Sequence, residues 1–176
     1  KSPRTVTVYS NCQRVNLLLN DQLIASQKPD SGVFTENLLH PPFTFHNIPW
    51  KPGKLKAIGY INGKEAASHI RITPGKAAFI DLFFDLKDAA IANGEDMFFV
   101  YASVVDENGT IVRDEETEIS FHVTGSGILI SPEQVETETG TATVLIRTTT
   151  QPGQIVIKAE TEGLKQSVIS KNCIKH

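Results

Sequence analysis

The stretch HPPFTFHNIPWKPG, residues 40–53, contains the side chains of this sequence that are best suited to binding chemistry. It includes Trp50, the one tryptophan of the chain, together with His40, His46 and four of the nine prolines. An indole can stack on the apolar face of a sugar ring while polar neighbours hydrogen-bond the hydroxyl groups. Trp50, His40 and His46 are therefore the candidate site residues, either as a carbohydrate contact or as an interface that braces the loop.

The sequence contains no pattern typical of a catalytic centre. The stretch TGSGI at 124–128 lacks the spacing of a serine nucleophile elbow, and no helical pattern follows it. Glycoside hydrolysis needs two carboxyl groups that face each other across a cleft. The acidic stretches at 114–118 and 132–140 instead have the composition of solvated loops. We therefore predict no catalytic residue in this chain.

The residues that could hold a metal ion or a cofactor are dispersed. No zinc-type spacing connects the histidines, and no glycine-rich phosphate loop is present. The stretch DENG at 106–109 is followed by TIVR rather than by further acidic residues, so it predicts a turn and not a calcium loop. Cys12 and Cys173 fall in different predicted domains, and we expect structural thiols. We predict no metal site and no cofactor. The histidines are His40, His46, His69, His122 and His176.

Composition and charge exclude two classes of partner. The net charge is -3 with a pI near 6.0, and no block of Lys or Arg is present, so neither nucleic acid nor an anionic membrane is an expected partner. No apolar run approaches the roughly 20 residues that a membrane helix needs, so no membrane insertion is expected. The chain begins Lys-Ser-Pro without a secretory signal pattern, and we expect a processed protein or a piece of a longer one.

The elements that must position the candidate residues are β-strands. Apolar and polar residues alternate with period two in short segments bounded by Gly, Pro, Asn or Asp. Val15, Leu17 and Leu19 share one face of a predicted strand, and Asn20-Asp21 predicts the turn to the next one. Asn62-Gly63 is among the strongest short hairpin signals because both positions tolerate positive φ. Phe43 and Phe45 fall on one strand face and are predicted core residues, whereas His46 is predicted to point to solvent.

The strand pattern divides near Thr73-Pro74-Gly75. Six strand candidates precede this point and seven follow it, with turn signals about every ten residues, which is typical of an immunoglobulin-like sandwich. We predict an all-β chain of two tandem immunoglobulin-like β-sandwiches, residues 1–74 and 75–176. Only residues 86–94 could hold a helical turn. The seven later candidates are 77–84, 97–106, 110–113, 118–123, 142–150, 154–161 and 165–170.

Two stretches of the first segment resemble a known family. VYSNCQRVNLLLNDQLIASQKPD at 8–30 and HPPFTFHNIPWKPGKLKAIGYINGKEAASHIRIT at 40–73 are similar to the small β-sandwich that follows the catalytic barrel in bacterial family 2 glycoside hydrolases, the β-galactosidase group. This sequence has Asn20-Asp21 where that family usually has Asn-Gly. In the family pattern an aromatic stands at the position of Trp50, within the turn.

The second segment resembles the domain that comes next in the same enzymes, which is related to the repeats of invasin-type adhesins. The resemblance lies in residues 93–112, 119–129 and 141–169. It implies a non-catalytic C-terminal accessory region for structural support, domain positioning or assembly contacts. The implied partner is the catalytic barrel of the same polypeptide, which carries the two catalytic glutamates of the family and is missing from this chain. The implied location is periplasmic, cell-surface or extracellular, in a bacterium.

Two other functions are compatible with the sequence. One is a carbohydrate-binding module that feeds polysaccharide to the enzyme, although such modules generally present two or three coplanar aromatic rings. This chain has Trp50 and three tyrosines, Tyr9, Tyr60 and Tyr101. The other is an adhesin-like stalk of immunoglobulin-like repeats that binds a protein. In the family context, we expect Trp50 to brace its loop or to pack against a neighbouring domain.

Overall fold

The computed structural model describes residues 4–114 and 116–175, and these residues form β-strands joined by turns and loops. The predicted all-β fold of two sandwiches is confirmed. The chain divides into two compact units, Lys1–Thr73 (unit 1) and Pro74–His176 (unit 2). Among the described residues no helix is long and apolar enough to cross a membrane.

Unit 1 is a sandwich of two antiparallel sheets with unequal widths. One sheet has four strands in the order β3-β2-β5-β6, and the other has two, β1 and β4. The core lies between them and contains Val15, Leu17, Phe43, Phe45 and Ile48. The strands are β1 Arg4–Val8, β2 Arg14–Leu19, β3 Gln22–Gln27, β4 Phe43–Ile48, β5 Lys54–Ile61 and β6 Lys64–Ile72.

The two predicted hairpins of unit 1 are confirmed. Asn20 and Asp21 have φ values of 51° and 64°, and Asn62 and Gly63 have 50° and 77°. Positive φ at both central residues is the feature of the type I′ turn, whose twist matches that of the strands it joins. Each turn sets the register of the residues next to it, and the register then shifts by one residue, between Leu17 and Leu18 in β2 and between Gly59 and Tyr60 in β5.

Strand β4 contains a bulge that the alternation did not predict. Phe45 pairs with Val6, but Ile48 pairs with Arg4, so three steps along β4 oppose two along β1. Asn47 takes up the extra step with a φ of 57°. Phe43 and Phe45 are buried as predicted. The bulge then turns Ile48, rather than Asn47, into the core.

Strand β6 is the least covered strand of unit 1. All nine of its residues are exposed, although it pairs with β5 along its length. In the register, Leu55, Ala57 and Gly59 on the inward face of β5 lie opposite Arg71, His69 and Ala67. The opposing sheet has only two strands, and it leaves the inward face of β6 open to solvent.

Unit 2 is a broader sandwich with a continuous core. Its sheets have the orders β12-β10-β14-β15-β8 and β11-β13-β9-β7. Phe121 of β10 and Val144 of β13 are fully buried between the two sheets. The strands are β7 Ala77–Phe84, β8 Ala90–Ile91, β9 Met97–Asp106, β10 Glu118–Gly125, β11 Gly127–Leu129, β12 Gln134–Glu136, β13 Thr141–Thr148, β14 Gly153–Glu160 and β15 Ser167–Ile174.

Three predictions for unit 2 were wrong in detail. The possible helical turn at 86–94 contains no helix, because β8 pairs there in parallel with the distant β15. The candidate strand 110–113 is reduced to one bridge, between Ile111 and Val105. The acidic stretch 132–140, predicted as loop, contributes the short strand β12. The pairings of β8 and β12 depend on partners elsewhere in the sequence, which local alternation does not reveal.

Candidate functional site

Trp50 follows β4 and borders a small cavity at the start of β1. The indole is 39% exposed. The cavity has a volume of about 170 Å³, and its apolar lining comes from Leu19, Ile48 and Leu55. Its charged lining consists of cations, namely Arg4, Lys51 and Arg71.

The turn that carries Trp50 is held in place by Asn20. The Asn20 side chain accepts a hydrogen bond from the Lys54 N–H at 2.8 Å and donates one to the Pro52 carbonyl at 3.3 Å. Gly53 has a φ of 131°, and a Cβ atom at this position would overlap the Asn20 side chain. Lys54 also pairs with Asp21 at 2.8 Å. The turn between β2 and β3 therefore fixes the loop on which the indole sits.

A second cavity lies at the other end of β1. It has a volume of about 90 Å³ and is lined by Val8 and Tyr9 together with Ala57, Gly59, Ala67 and His69. Tyr9 is 82% exposed. This cavity and the Trp50 cavity share β1 as a wall, and their floors are successive inward residues of β5 and β6. We call the two cavities together the β1 trough.

His46 lies on another part of unit 1. It is exposed on β4 and lines a groove of about 520 Å³ with Asp30 and Thr44. Asp30 accepts hydrogen bonds from the Thr44 N–H at 3.0 Å, the Thr44 hydroxyl at 2.5 Å and Gln27 Nε2 at 3.1 Å. Partial burial raises the pKa of Asp30, but these hydrogen bonds and the nearby His46 outweigh it and hold the pKa below the ordinary value.

The three candidate residues do not form one site. His40 is exposed before the start of β4, and Trp50 follows its end. Trp50 and His46 line different cavities. Instead, the fold brings Trp50 together with Arg4 and Arg71, which the sequence patterns did not single out. The Asn62-Gly63 hairpin did not reveal this face, because a register shift between Gly59 and Tyr60 places His69 rather than Ser68 opposite Ala57.

Asp106 organises a turn in unit 2. Its carboxylate accepts hydrogen bonds from the backbone N–H groups of Gly75, Asn108 and Thr110, each within 2.9 Å. The bond from Gly75, followed by that from Thr110, lowers the pKa of Asp106 below its ordinary value despite the opposing effect of desolvation. The stretch 106–109 is thus a hairpin turn, as predicted, and all three donors are backbone groups.

The described residues bring no metal-binding group of three or more His, Cys, Asp or Glu side chains together. Cys12 and Cys173 are buried, free thiols, one in each unit. Burial, with a smaller effect of Asp96, raises the pKa of Cys173. Cys12 packs so closely on Gly59 that a Cβ atom there would overlap its Sγ. A buried neutral thiol is a poor nucleophile, so Cys173 is suited to packing rather than to reaction.

A known domain family matches each of the two units. Residues 86–170 match the glycoside hydrolase family 2 C-terminal domain 5, and residues 2–67 match a domain of unknown function, DUF4982. The chain is 35% identical over 162 residues to a β-galactosidase of Thermoanaerobacter pseudethanolicus. The aligned residues cover 87% of this chain and 22% of that protein. It is 31% identical over 176 residues to a β-galactosidase of Bacteroides ovatus. That alignment covers 92% of this chain and 19% of that protein.

The fold of the chain is also found in a solved structure of the same family. A family 2 glycosyl hydrolase of Bacteroides cellulosilyticus superposes with a TM-score of 0.85 at 24% identity, over 97% of this chain and 24% of that one. The chain thus spans about a fifth of the length of the curated relatives that it matches. This chain belongs to the C-terminal β-sandwich region of the family 2 glycoside hydrolases.

Proposed function

We propose that the chain is a non-catalytic accessory region that supports and positions the catalytic barrel of the same glycoside hydrolase polypeptide. The observation that carries this proposal is the uncovered side of unit 1, where the β1 trough runs beside a strand with all nine residues exposed. A nine-residue strand whose residues are all exposed gains little hydrophobic stabilisation by itself. A neighbouring domain that covers it would supply that stabilisation.

Trp50 is suited to be an anchor of this contact. Its indole is partly exposed at one end of the trough, on a turn held by Asn20. Tryptophan is enriched at protein interfaces because a large ring buries apolar area with few rotamers to order.

The relatives named β-galactosidase support the further proposal that the parent enzyme acts on β-galactosides or related glycans. We place it outside the cytoplasm of a bacterium, as the resemblance implies.

The test uses the full-length polypeptide that contains residues 1–176. The change Trp50→Ala removes the anchor, and we expect it to lower the temperature of half-inactivation of galactosidase activity by several degrees. The matched control is Phe34→Ala, because Phe34 is 96% exposed and lies outside the trough. An unchanged half-inactivation temperature in Trp50→Ala would contradict the proposal. So would turnover of a chromogenic β-galactoside by the purified 176-residue chain alone.

One observation favours a second function, a carbohydrate contact at Trp50. The partly exposed indole borders the same cavity as Arg4, Lys51 and Arg71, whose side chains can donate hydrogen bonds to sugar hydroxyls. Affinity electrophoresis of the chain in gels with plant and host glycans measures such binding. Retardation that disappears in Trp50→Ala would support it, and unretarded migration on every glycan would exclude it at this site.

A further inference from the structure

Strand β1 has one free edge. Among residues 4–114 and 116–175 its only neighbouring strand is β4. Thr7 lies opposite Thr44, and the Thr44 N–H donates to Asp30 Oδ1 on the far side of β4. Thr7 and Thr44 are therefore a non-hydrogen-bonded pair of the antiparallel ladder, and the backbone N–H and C=O of Thr7 point away from β4. They face the free edge.

The β1 trough runs beside this edge. Its floor consists of small side chains near one end, Ala57, Gly59 and Ala67, and of the longer Leu55 and Arg71 near the other. Five residues of β1 span about 17 Å at the usual rise of a strand. An extended segment at this edge would place alternate side chains over the two cavities, whose volumes are about 170 and 90 Å³.

The charge of the trough is of one sign. Its charged side chains are Arg4, Lys51 and Arg71, which line the Trp50 end. Among the described lining residues of the two cavities there is no Asp or Glu. A second copy of the chain that paired β1 with β1 about a two-fold axis would bring two such cationic sets together, which is unfavourable. An acidic segment would complement them.

We infer that the trough binds an extended, acidic segment of the same polypeptide from outside residues 1–176, and that this segment adds to β1 as the third strand of the β1–β4 sheet. This inference rests on the proposed function and names the form of the contact. Strand addition supplies affinity through backbone hydrogen bonds and specificity through alternate side chains. The matched relatives are about five times as long as this region, so a segment of the same chain is present at high effective concentration.

The first experiment measures peptide binding to the 176-residue chain. The probe is an acetylated, amidated octapeptide of alternating glutamate and valine, and the matched probe replaces glutamate by lysine. We expect saturable binding of the acidic peptide, read by Trp50 fluorescence and by the NMR shift of the Thr7 amide, and binding of the basic peptide weaker by at least about tenfold. Added salt should lower the affinity of the chain for the acidic peptide, because it screens the attraction between their charges. Equal affinity for both peptides, or no binding of either, overturns the inference.

The edge is then blocked by substitution. Thr7→Pro removes the outward N–H and leaves the bonds between β1 and β4 in place, since proline is tolerated where the N–H faces away from the sheet. We expect a loss of affinity of about tenfold. Thr7→Val, which keeps the N–H, should bind as the parent chain does. Arg71→Glu provides a variant that does not alter the backbone, and it should shift the preference toward the basic peptide. Unchanged affinity in Thr7→Pro, or an unchanged preference in Arg71→Glu, overturns the inference.

The occupant is identified in the full-length polypeptide. Hydrogen exchange of the Thr7 amide should be at least about tenfold slower there than in the 176-residue chain, because a bonded amide exchanges only on opening. Equal exchange rates would contradict the inference even if Trp50→Ala lowered the half-inactivation temperature, so the two proposals can fail separately. Sedimentation of the 176-residue chain as a dimer that Thr7→Pro dissociates would assign the edge to a second copy and overturn the choice of occupant.

Discussion

Unit 1 and unit 2 are built from the same kind of strands, but they enclose their cores to different degrees. Among the described residues, the two sheets of unit 2 have five and four strands and share a cluster of seventeen buried residues. Those of unit 1 have four and two strands, and the corresponding cluster has five. A sandwich can bury only the part of a sheet that the opposing sheet covers. Unit 2 thus encloses its core between two broad sheets, whereas unit 1 has a side that another surface can close.

The largest effect expected is from the same substitution in the two cores. Phe43 and Phe121 are both fully buried, and Phe→Ala at such positions costs about 3–5 kcal/mol. Unit 1 has the smaller core, so Phe43→Ala should abolish its cooperative unfolding transition, whereas Phe121→Ala should leave unit 2 folded with a lower midpoint. Trp50 fluorescence reports on unit 1 during denaturation, and amide spectra report on unit 2. If Phe43→Ala left unit 1 folded with a midpoint lowered as little as that of unit 2 in Phe121→Ala, the smaller core of unit 1 would not make it more sensitive to cavities.

A smaller effect is expected from acid, and it should appear in both units. The pKa values of Asp30 in unit 1 and Asp106 in unit 2 are held below the ordinary 3.8. Their contribution to stability is therefore fully present above pH 3.8 and is lost as the pH falls through the lower folded-state values. The denaturation midpoints of both units should therefore fall as the pH is lowered below 3.8.

The matched variants assign the acid effect to each carboxylate. Asp30→Asn should flatten the acid dependence of unit 1 alone, and Asp106→Asn that of unit 2 alone. An acid dependence that persists unchanged in both variants would show that other carboxylates cause it.

The smallest effect is expected on β6 in the 176-residue chain. His69 is exposed on the trough floor, so His69→Ala should change the stability of unit 1 by no more than about 0.5 kcal/mol. In the full-length polypeptide the same change should be more costly, because the partner segment would cover this position. Chemical denaturation of both forms measures the difference. An identical small effect in the two would indicate that β6 stays uncovered.

Sequence patterns predicted the parts of the fold that depend on neighbouring residues. The alternation in β2 identified Val15, Leu17 and Leu19 as one face, and all three are buried. The turns at Asn20-Asp21 and Asn62-Gly63 were predicted because both pairs tolerate positive φ, and that property belongs to the residues themselves. The site was predicted less well. Trp50 was identified by its type, whereas the trough that it borders was not.

The missing parts depend on which distant segments meet. The bulge at Asn47 exists because β4 must follow the register of β1, and the parallel pairing of β8 requires β15. The sequence by itself determined the longer strands, the two turns of unit 1, most apolar faces and the family. Only the tertiary structure decided that the β1–β4 sheet has two strands, because its width depends on which strands assemble. Because the sheet is so narrow, the inward face of β6 stays open, and Trp50 lies at one end of the trough beside it.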